Sequence, residues 1–160
     1  PFGQWVLVAL GLSMVGDILL IPAKVGPAFT GGLAAFLLGH LAFAYAFIVR
    51  GVDWSWTVAA LGIFCIVGFA IYRWLAPDVP PALKVPVMAY VAIITLMVAL
   101  SVGTTLQRPT TLIPIAAFVF WLSDISVARG RFKDAGYANR LWGIPFYFGA
   151  QIMFAYATLN

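Results

Sequence analysis

The stretch TTLIPIAAFVFWLSDISVARGRF, residues 110–132, decides the fold class of this chain. Its first half is almost entirely apolar, and the run is long enough to cross a bilayer as a helix, which takes about 20 residues. Across the chain, 64% of the residues are hydrophobic and only 9% are charged, whereas a soluble domain has about 25% charged residues. The sequence therefore predicts an integral membrane protein with one transmembrane domain over residues 1–160.

Apolar runs of this length recur along the chain and predict an all-α, polytopic bundle of six transmembrane helices. Proline, glycine and charged residues separate the runs. Closed β-barrels, the other architecture that spans membranes, need short alternating strands, which these uniformly apolar runs do not resemble. The predicted helices cover residues 3–22, 29–49, 54–75, 84–106, 110–128 and 141–159.

Lysine and arginine are divided unequally between the two sets of links, and this predicts the orientation. The links after the first, third and fifth helices hold seven of them, and the other side holds two, Arg50 and Arg108. Because cytoplasmic loops are rich in these residues, we expect the seven to face the cytoplasm, in the inner membrane of a bacterium. The net charge of +4 is then a matter of topology, and no nucleic-acid partner is expected. The seven are Lys24, Arg73, Lys84, Arg129, Arg131, Lys133 and Arg140.

The second predicted helix carries a stripe of small residues, Gly31, Ala35 and Gly39, each four apart. Such stripes let helix backbones approach closely in lipid. We interpret this stripe as a packing surface.

Two aspartates interrupt the apolar runs, Asp17 late in the first helix and Asp124 late in the fifth. A charged aspartate at the centre of a membrane helix costs about 2.5–3.5 kcal/mol, and such residues usually face the bundle interior and mark a site. At 1.5 Å per residue, both lie about 6–8 Å below the cytoplasmic surface. Tyr90 and Tyr147 fall at a similar predicted depth, which favours one shared site.

The only histidine of the sequence, His40, is predicted to lie deeper, near the middle of the membrane, and Gln151 reaches toward that depth from one turn beyond Tyr147. One histidine is too few for a three-histidine zinc site. A mixed Asp/His/Asp metal site stays open as an alternative, and no cofactor is otherwise expected.

The cytoplasmic rim of the bundle is basic. The preference of cytoplasmic loops for Lys and Arg accounts for such a rim by itself. The functional alternative is recognition of a lipid phosphate, where these side chains would donate at head-group level. The rim comprises Lys84, Arg129, Arg131, Lys133 and Arg140.

Five motifs resemble the YhhN-type lysoplasmalogenase family in the family's own order along nearly the whole chain. They are GDILL (16–20), FLLGHLAFAYAF (36–47), LKVPVMAYVAI (83–93), FWLSDISVARGRF (120–132) and YFGAQIMFAYA (147–157). Members of that family usually have about eight helices, so this chain looks shorter by up to two.

The resemblance implies a membrane hydrolase that cleaves the vinyl ether bond of a lysophospholipid, the lysoplasmalogen. The implied products are a fatty aldehyde and glycerophosphoethanolamine or glycerophosphocholine. By similarity, Asp17 and Asp124 match the motif acids. Other motif positions are matched by His40, Lys84, Tyr90, Ser123 and Gln151.

The two aspartates suit this chemistry. Vinyl ether hydrolysis needs an acid that protonates the alkene and a negative group that stabilises the resulting oxocarbenium ion and activates water. Glycosidases divide these tasks between two carboxyl groups in different environments. The more apolar neighbours of Asp17 favour it as the acid, while Tyr90, Tyr147 and Gln151 are candidates to position water or the ether oxygen.

Two other classes remain open from the sequence. A small proton-coupled transporter would use the intramembrane Asp and His side chains as a relay, although the chain shows no convincing internal repeat. In a structural or assembly subunit, Asp17 and Asp124 would instead pair with Lys84 or Arg129 and lock helices together. The sequence does not indicate an oligomeric state, and membrane lipids are the other expected partners.

Overall fold

The computed structural model describes residues 1–21, 26–107, 110–134 and 136–159, without the side chains of residues 106 and 107. Within these ranges all regular secondary structure is helical, which confirms the all-α prediction. Three features used in the predictions lie outside the described residues. They are Pro22 and the pair Arg108–Pro109, which separate predicted helices, and Lys24, which is one of the seven basic residues that predict the orientation. The helices are α1 (Phe2–Leu20), α2 (Pro27–Arg50), α3 (Trp54–Leu75), α4 (Lys84–Gln107), α5 (Leu112–Phe132) and α6 (Tyr137–Tyr156).

Five of these helices, α1 to α5, are long and apolar enough to cross a membrane. The sixth predicted span corresponds to α6, a helix of 20 residues that carries Asn139, Arg140 and Gln151 among its apolar residues. The chain is a multi-pass bundle of membrane helices. Local signals set several helix ends: Pro27 occupies the first turn of α2, and Asp53 caps α3 by accepting a hydrogen bond from the Trp56 amide at 3.1 Å.

Two helix ends differ from the prediction by four residues, and the other ends agree within three. α5 continues to Phe132 instead of ending at residue 128, and α6 begins at Tyr137 instead of residue 141. Arginine is a good helix former and is favoured in the last turn of a helix, so Arg129 and Arg131 extend α5 rather than ending it. As a result, four further residues, or about 6 Å of helix, separate Asp124 and Tyr147 from their helix ends.

The helices pack as a ring of five, with α3 on the outside. α2 packs between α1 and α4, α4 packs against α5, α5 packs against α6, and α6 returns to α1, while α3 packs mainly on α4. The small-residue stripe of α2 is confirmed as a packing surface, because a Cβ on Gly39 would lie 3.3 Å from the Ala9 carbonyl oxygen of α1.

The half of the ring toward Arg50 and Trp54, here called the packed half, is filled by aromatic side chains. The Phe43 ring lies 4.3 Å from the Phe154 ring between centroids, and the Phe47 ring lies 6.0 Å from the same ring. All three side chains are fully buried. Such close packing fixes the relative positions of α2 and α6.

Candidate active site

The opposite half of the ring is hollow, and we call it the cavity half. Its cavity has a volume of about 820 Å³, within the range of about 300–1,000 Å³ that is usual for small-molecule sites. Most of its wall is apolar. Its polar groups are Asp17, Tyr90, Asp124, Ser126, Arg131, Asn139, Arg140 and Tyr147, contributed by α1, α4, α5 and α6.

Asp17 enters the cavity from the last turn of α1 and is held by Tyr147 of α6. The Tyr147 hydroxyl donates a hydrogen bond to Oδ2 of Asp17 at 2.7 Å. Gln151 lies one turn further along α6, and its side chain interacts with the Tyr147 hydroxyl. The Phe36 ring packs edge-on against the Tyr147 ring at 5.9 Å. These contacts fix the position of one carboxyl group across the gap between α1 and α6.

Asp124 enters the same cavity from α5 and has two partners. The Tyr90 hydroxyl of α4 donates to its Oδ2 at 2.8 Å. Nε2 of His40, on α2, lies 3.2 Å from the same oxygen. The Asp124 side chain is 13% exposed and that of His40 only 2%. Three helices therefore converge on one oxygen of this carboxyl group.

The sequence predicts that His40 lies deeper than Asp124, but the two side chains lie side by side. α5 continues for eight residues beyond Asp124. His40 is further held by its Nδ1, which lies 2.7 Å from the Phe36 carbonyl oxygen. Its ring packs against those of Phe120 and Tyr90, at 4.9 and 5.2 Å between centroids.

The two carboxyl groups share one environment. Both line the cavity, and they are close enough for the charge of Asp124 to act on Asp17. Each is held by a tyrosine hydroxyl from a different helix. Two carboxyl groups in one apolar cavity, each with its own hydrogen-bond donor, can take different protonation states and so act as an acid and a base.

Other predicted site residues do not line the cavity. Ser123 is buried and donates to the Phe120 carbonyl at 2.6 Å. Lys84 is exposed at the start of α4. Arg129 is exposed and pairs with Asp134 at 3.8 Å, so it is not the structural partner that the assembly-subunit alternative requires. Seen from the cavity, His40 lies behind Asp124 and Gln151 lies behind Tyr147.

Two arginines lie where the cavity meets the ends of α5 and α6. Arg131 lines the cavity with its guanidinium group 4.5 Å from the centre of the Phe29 ring. Arg140 also lines it and is exposed. The basic rim predicted from the sequence is thus divided, and Arg131 and Arg140 are the members that reach the cavity.

Sequence reasoning missed the seam between α5 and α6 beside these arginines. The Ser126 hydroxyl donates to the Asn139 carbonyl at 2.9 Å, and Nδ2 of Asn139 donates to the Ser126 carbonyl at 2.6 Å. The sequence does contain a signal for this contact, since Asn139 is followed four residues later by Gly143. A glycine at this position leaves room for the Ser126 side chain. The prediction that residues 129–140 form a link concealed it.

The Asp/His/Asp metal alternative finds no support in the geometry. Among the described residues, no three His, Cys, Asp or Glu side chains cluster closely enough to hold a metal ion.

These features define the class of the protein: a multi-pass membrane helix bundle with two carboxyl groups in one cavity between its helices. The sequence model of the YhhN family matches residues 1–158, and the chain belongs to this family. Two curated relatives, from Mycobacterium bovis and Mycobacterium tuberculosis, are each named lysoplasmalogenase. Each is 32% identical over 139 residues, which cover 82% of this chain and 52% of the relative. The chain thus spans about half the length of these relatives. No solved structure matches it.

Proposed function

We propose that this chain hydrolyses the vinyl ether bond of a lysoplasmalogen and releases a fatty aldehyde and a glycerophosphoethanolamine or glycerophosphocholine. The observation that carries the proposal is the pair Asp17 and Asp124, held by separate tyrosine hydroxyls in one cavity. The name lysoplasmalogenase, borne by the relatives, supplies the substrate class.

The proposed reaction begins with transfer of a proton from one carboxyl group to the alkene carbon of the vinyl ether that is not bonded to oxygen. The ether oxygen then shares the positive charge, and the second carboxylate stabilises this oxocarbenium ion. Water adds to the cation as that carboxylate accepts its proton. The resulting hemiacetal collapses to an aldehyde and an alcohol, so the net reaction consumes one water molecule.

The shape of the cavity supports a pose for a single-chain lipid. Arg131 and Arg140 offer donors for a phosphate at the cytoplasmic end of the cavity. Ile21, directly after α1, and Ile144 and Phe148 of α6 line the cavity and are also exposed on the outside of the bundle. A hydrocarbon chain can therefore enter sideways from the bilayer between α1 and α6. This pose places the vinyl ether between the phosphate site and the chain, near the carboxyl groups.

Single replacements Asp17→Asn and Asp124→Asn test the proposal, with aldehyde release from a lysoplasmalogen as the measurement. We expect each to lower kcat by about 100-fold or more, the range for loss of a general acid or base. Asp134→Asn is the matched control, because Asp134 is exposed and lies outside the cavity. Turnover near that of the unchanged chain in a folded Asp17 or Asp124 variant would exclude that residue from the mechanism.

Two substrate analogues test the bond specificity. A lysolipid with a saturated ether has no alkene to protonate, and we expect no cleavage. A lysolipid with an ester in place of the vinyl ether should also persist. Rapid ester cleavage would replace this proposal with acyl hydrolysis.

A further inference from the structure

His40 is placed to act on Asp124 and not on a substrate. It is 1% exposed and is not among the residues that line the cavity. Its Nδ1 lies 2.7 Å from the Phe36 carbonyl oxygen, which only accepts hydrogen bonds, so Nδ1 carries a proton. The remaining ring nitrogen, Nε2, faces Asp124.

The distance between His40 and Asp124 is that of an ion pair, provided that the ring is protonated. Nε2 lies 3.2 Å from Oδ2, but it makes no in-line hydrogen bond with any described residue. An unprotonated Nε2 would turn its lone pair toward a carboxylate and repel it. Because Tyr90 donates to the same oxygen, a protonated His40 gives Oδ2 two favourable neighbours.

The ionisable groups around this pair come from four helices. Tyr90 of α4 and Asp124 of α5 contact His40 directly. Asp17 of α1 and Tyr147 of α6 lie across the cavity, and their hydrogen bond to each other occupies Oδ2 of Asp17. The two carboxyl groups therefore differ: Asp124 has a histidine ring and the Tyr90 hydroxyl beside it, whereas Asp17 has the Tyr147 hydroxyl, which the Gln151 side chain contacts in turn.

We infer that His40 is a positioning residue whose imidazolium keeps Asp124 in the carboxylate form, which leaves Asp17 as the carboxyl group that protonates the substrate. A lone carboxylate in an apolar interior is unfavourable, whereas one beside a cation and a donor is compensated. The assignment of Asp17 as the proton donor rests on the proposed hydrolysis. The state of the His40–Asp124 pair does not.

This division of roles returns both groups to their starting states. Asp17 gives its proton to the alkene carbon and becomes a carboxylate, and Asp124 takes a proton from the attacking water. During collapse of the hemiacetal, Asp17 takes the hydroxyl proton while Asp124 gives its proton to the departing glycerol oxygen. The carbon–oxygen bond breaks, the aldehyde forms, and His40 keeps its proton throughout.

The protonation state can be measured directly, because this sequence contains one histidine. In the purified chain labelled with ¹⁵N-histidine, we expect both ring nitrogens to give protonated-type resonances at pH 7. In Asp124→Asn, Nε2 should change to the unprotonated type while Nδ1 stays protonated. Asp17→Asn is the matched control and should leave both resonances of the protonated type.

A neutral ring in the unchanged chain would overturn the inference, as would a ring that does not respond to Asp124→Asn. The spectrum of the unchanged chain decides the matter even if a variant fails to fold. Aldehyde release separates the two proposals. A neutral ring in a chain that hydrolyses lysoplasmalogen contradicts only this inference, and a charged ring in an inactive chain contradicts only the hydrolysis.

Two His40 variants test the positioning role through kinetics. In His40→Asn, the amide lies near the position of Nδ1, and no donor faces Asp124. In His40→Gln, the longer side chain brings a donor to Asp124, but this donor cannot carry a charge. We expect His40→Asn to lower kcat by about 10- to 100-fold, the range for leaving a buried charged group without one of its partners, with KM unchanged. His40→Gln should recover part of this loss. Equal losses in both variants, or an effect confined to KM, would contradict the role.

Discussion

The two halves of the ring are made by the same helices and are packed in opposite ways. α2 places Phe43 and Phe47 in the packed half, and one turn earlier it places His40 behind the cavity. α6 similarly places Phe154 in the packed half and Tyr147 in the cavity two turns earlier. Phe120 of α5 stands at the boundary, with its ring 6.3 Å from the Phe154 ring and 5.4 Å from the Tyr147 ring.

The contrast shows how a membrane bundle keeps a hollow site. Lipid provides no hydrophobic driving force between helices, so their association depends on packing and hydrogen bonds. In the packed half, interlocked rings supply the packing. In the cavity half, three hydrogen bonds or ion pairs cross between helices at the carboxyl groups. We therefore expect the packed half to carry most of the stability, so that the other half can remain open.

The largest expected effect comes from emptying the packed half. Phe154→Ala should lower the free energy of unfolding by about 3–5 kcal/mol, because it leaves a void among Phe43, Phe47 and Phe120. Phe69→Ala is the matched control, because Phe69 of α3 is 63% exposed on the outside of the bundle. Equilibrium unfolding in mixed micelles measures both. A smaller loss for Phe154 than for Phe69 would show that the packed half does not carry the stability.

An intermediate effect is expected at the seam between α5 and α6. A Cβ on Gly143 would overlap Oγ of Ser126 and lie 2.6 Å from its Cβ, so Gly143→Ala should force α6 away from α5. We expect a loss of about 1–3 kcal/mol, as for other overpacked positions, together with lower activity because Tyr147 shifts relative to Asp17.

The matched control for the seam is Gly149→Ala. A Cβ on Gly149 would meet no atom within 4 Å, and alanine favours a helix over glycine by about 1 kcal/mol. This variant should be neutral or slightly more stable. Equal effects in the two variants would mean that the seam does not position α6.

The sequence predicts the parts of this comparison that depend on hydropathy and spacing. The lengths of the apolar runs give the six helices, and Asp17 and Asp124 stand out because few charged residues occur within such runs. The α1–α2 packing also follows from the stripe that includes Gly39, because small residues at every fourth position share a face.

The remaining features depend on tertiary contacts that have no local signal. Arg129 and Arg131 suggest a link by their charge, although they extend α5. The contact between His40 and Asp124 joins α2 to α5, and no local pattern in either helix specifies it. Likewise, nothing local distinguishes Arg140, which lines the cavity, from Arg129, which pairs with Asp134.

The smallest expected effect tests whether the open half recognises a phosphate. Arg140 lines the cavity, whereas Arg73, in the last turn of α3, lies outside it; both are exposed. If loop topology alone explains these charges, Arg140→Gln and Arg73→Gln should have equal effects on hydrolysis. If Arg140 binds the substrate phosphate, only Arg140→Gln should raise KM, by about fivefold, since one basic side chain near an anionic head group contributes about 1 kcal/mol.

The kcat of Arg140→Gln should stay unchanged because Arg140 lies away from the reacting bond in the proposed pose. Added salt should narrow the difference in KM, because screening weakens an exposed charge pair. Equal KM values for the two variants at low salt would mean that Arg140 serves the membrane topology alone and that Arg131 is the arginine that binds the substrate phosphate.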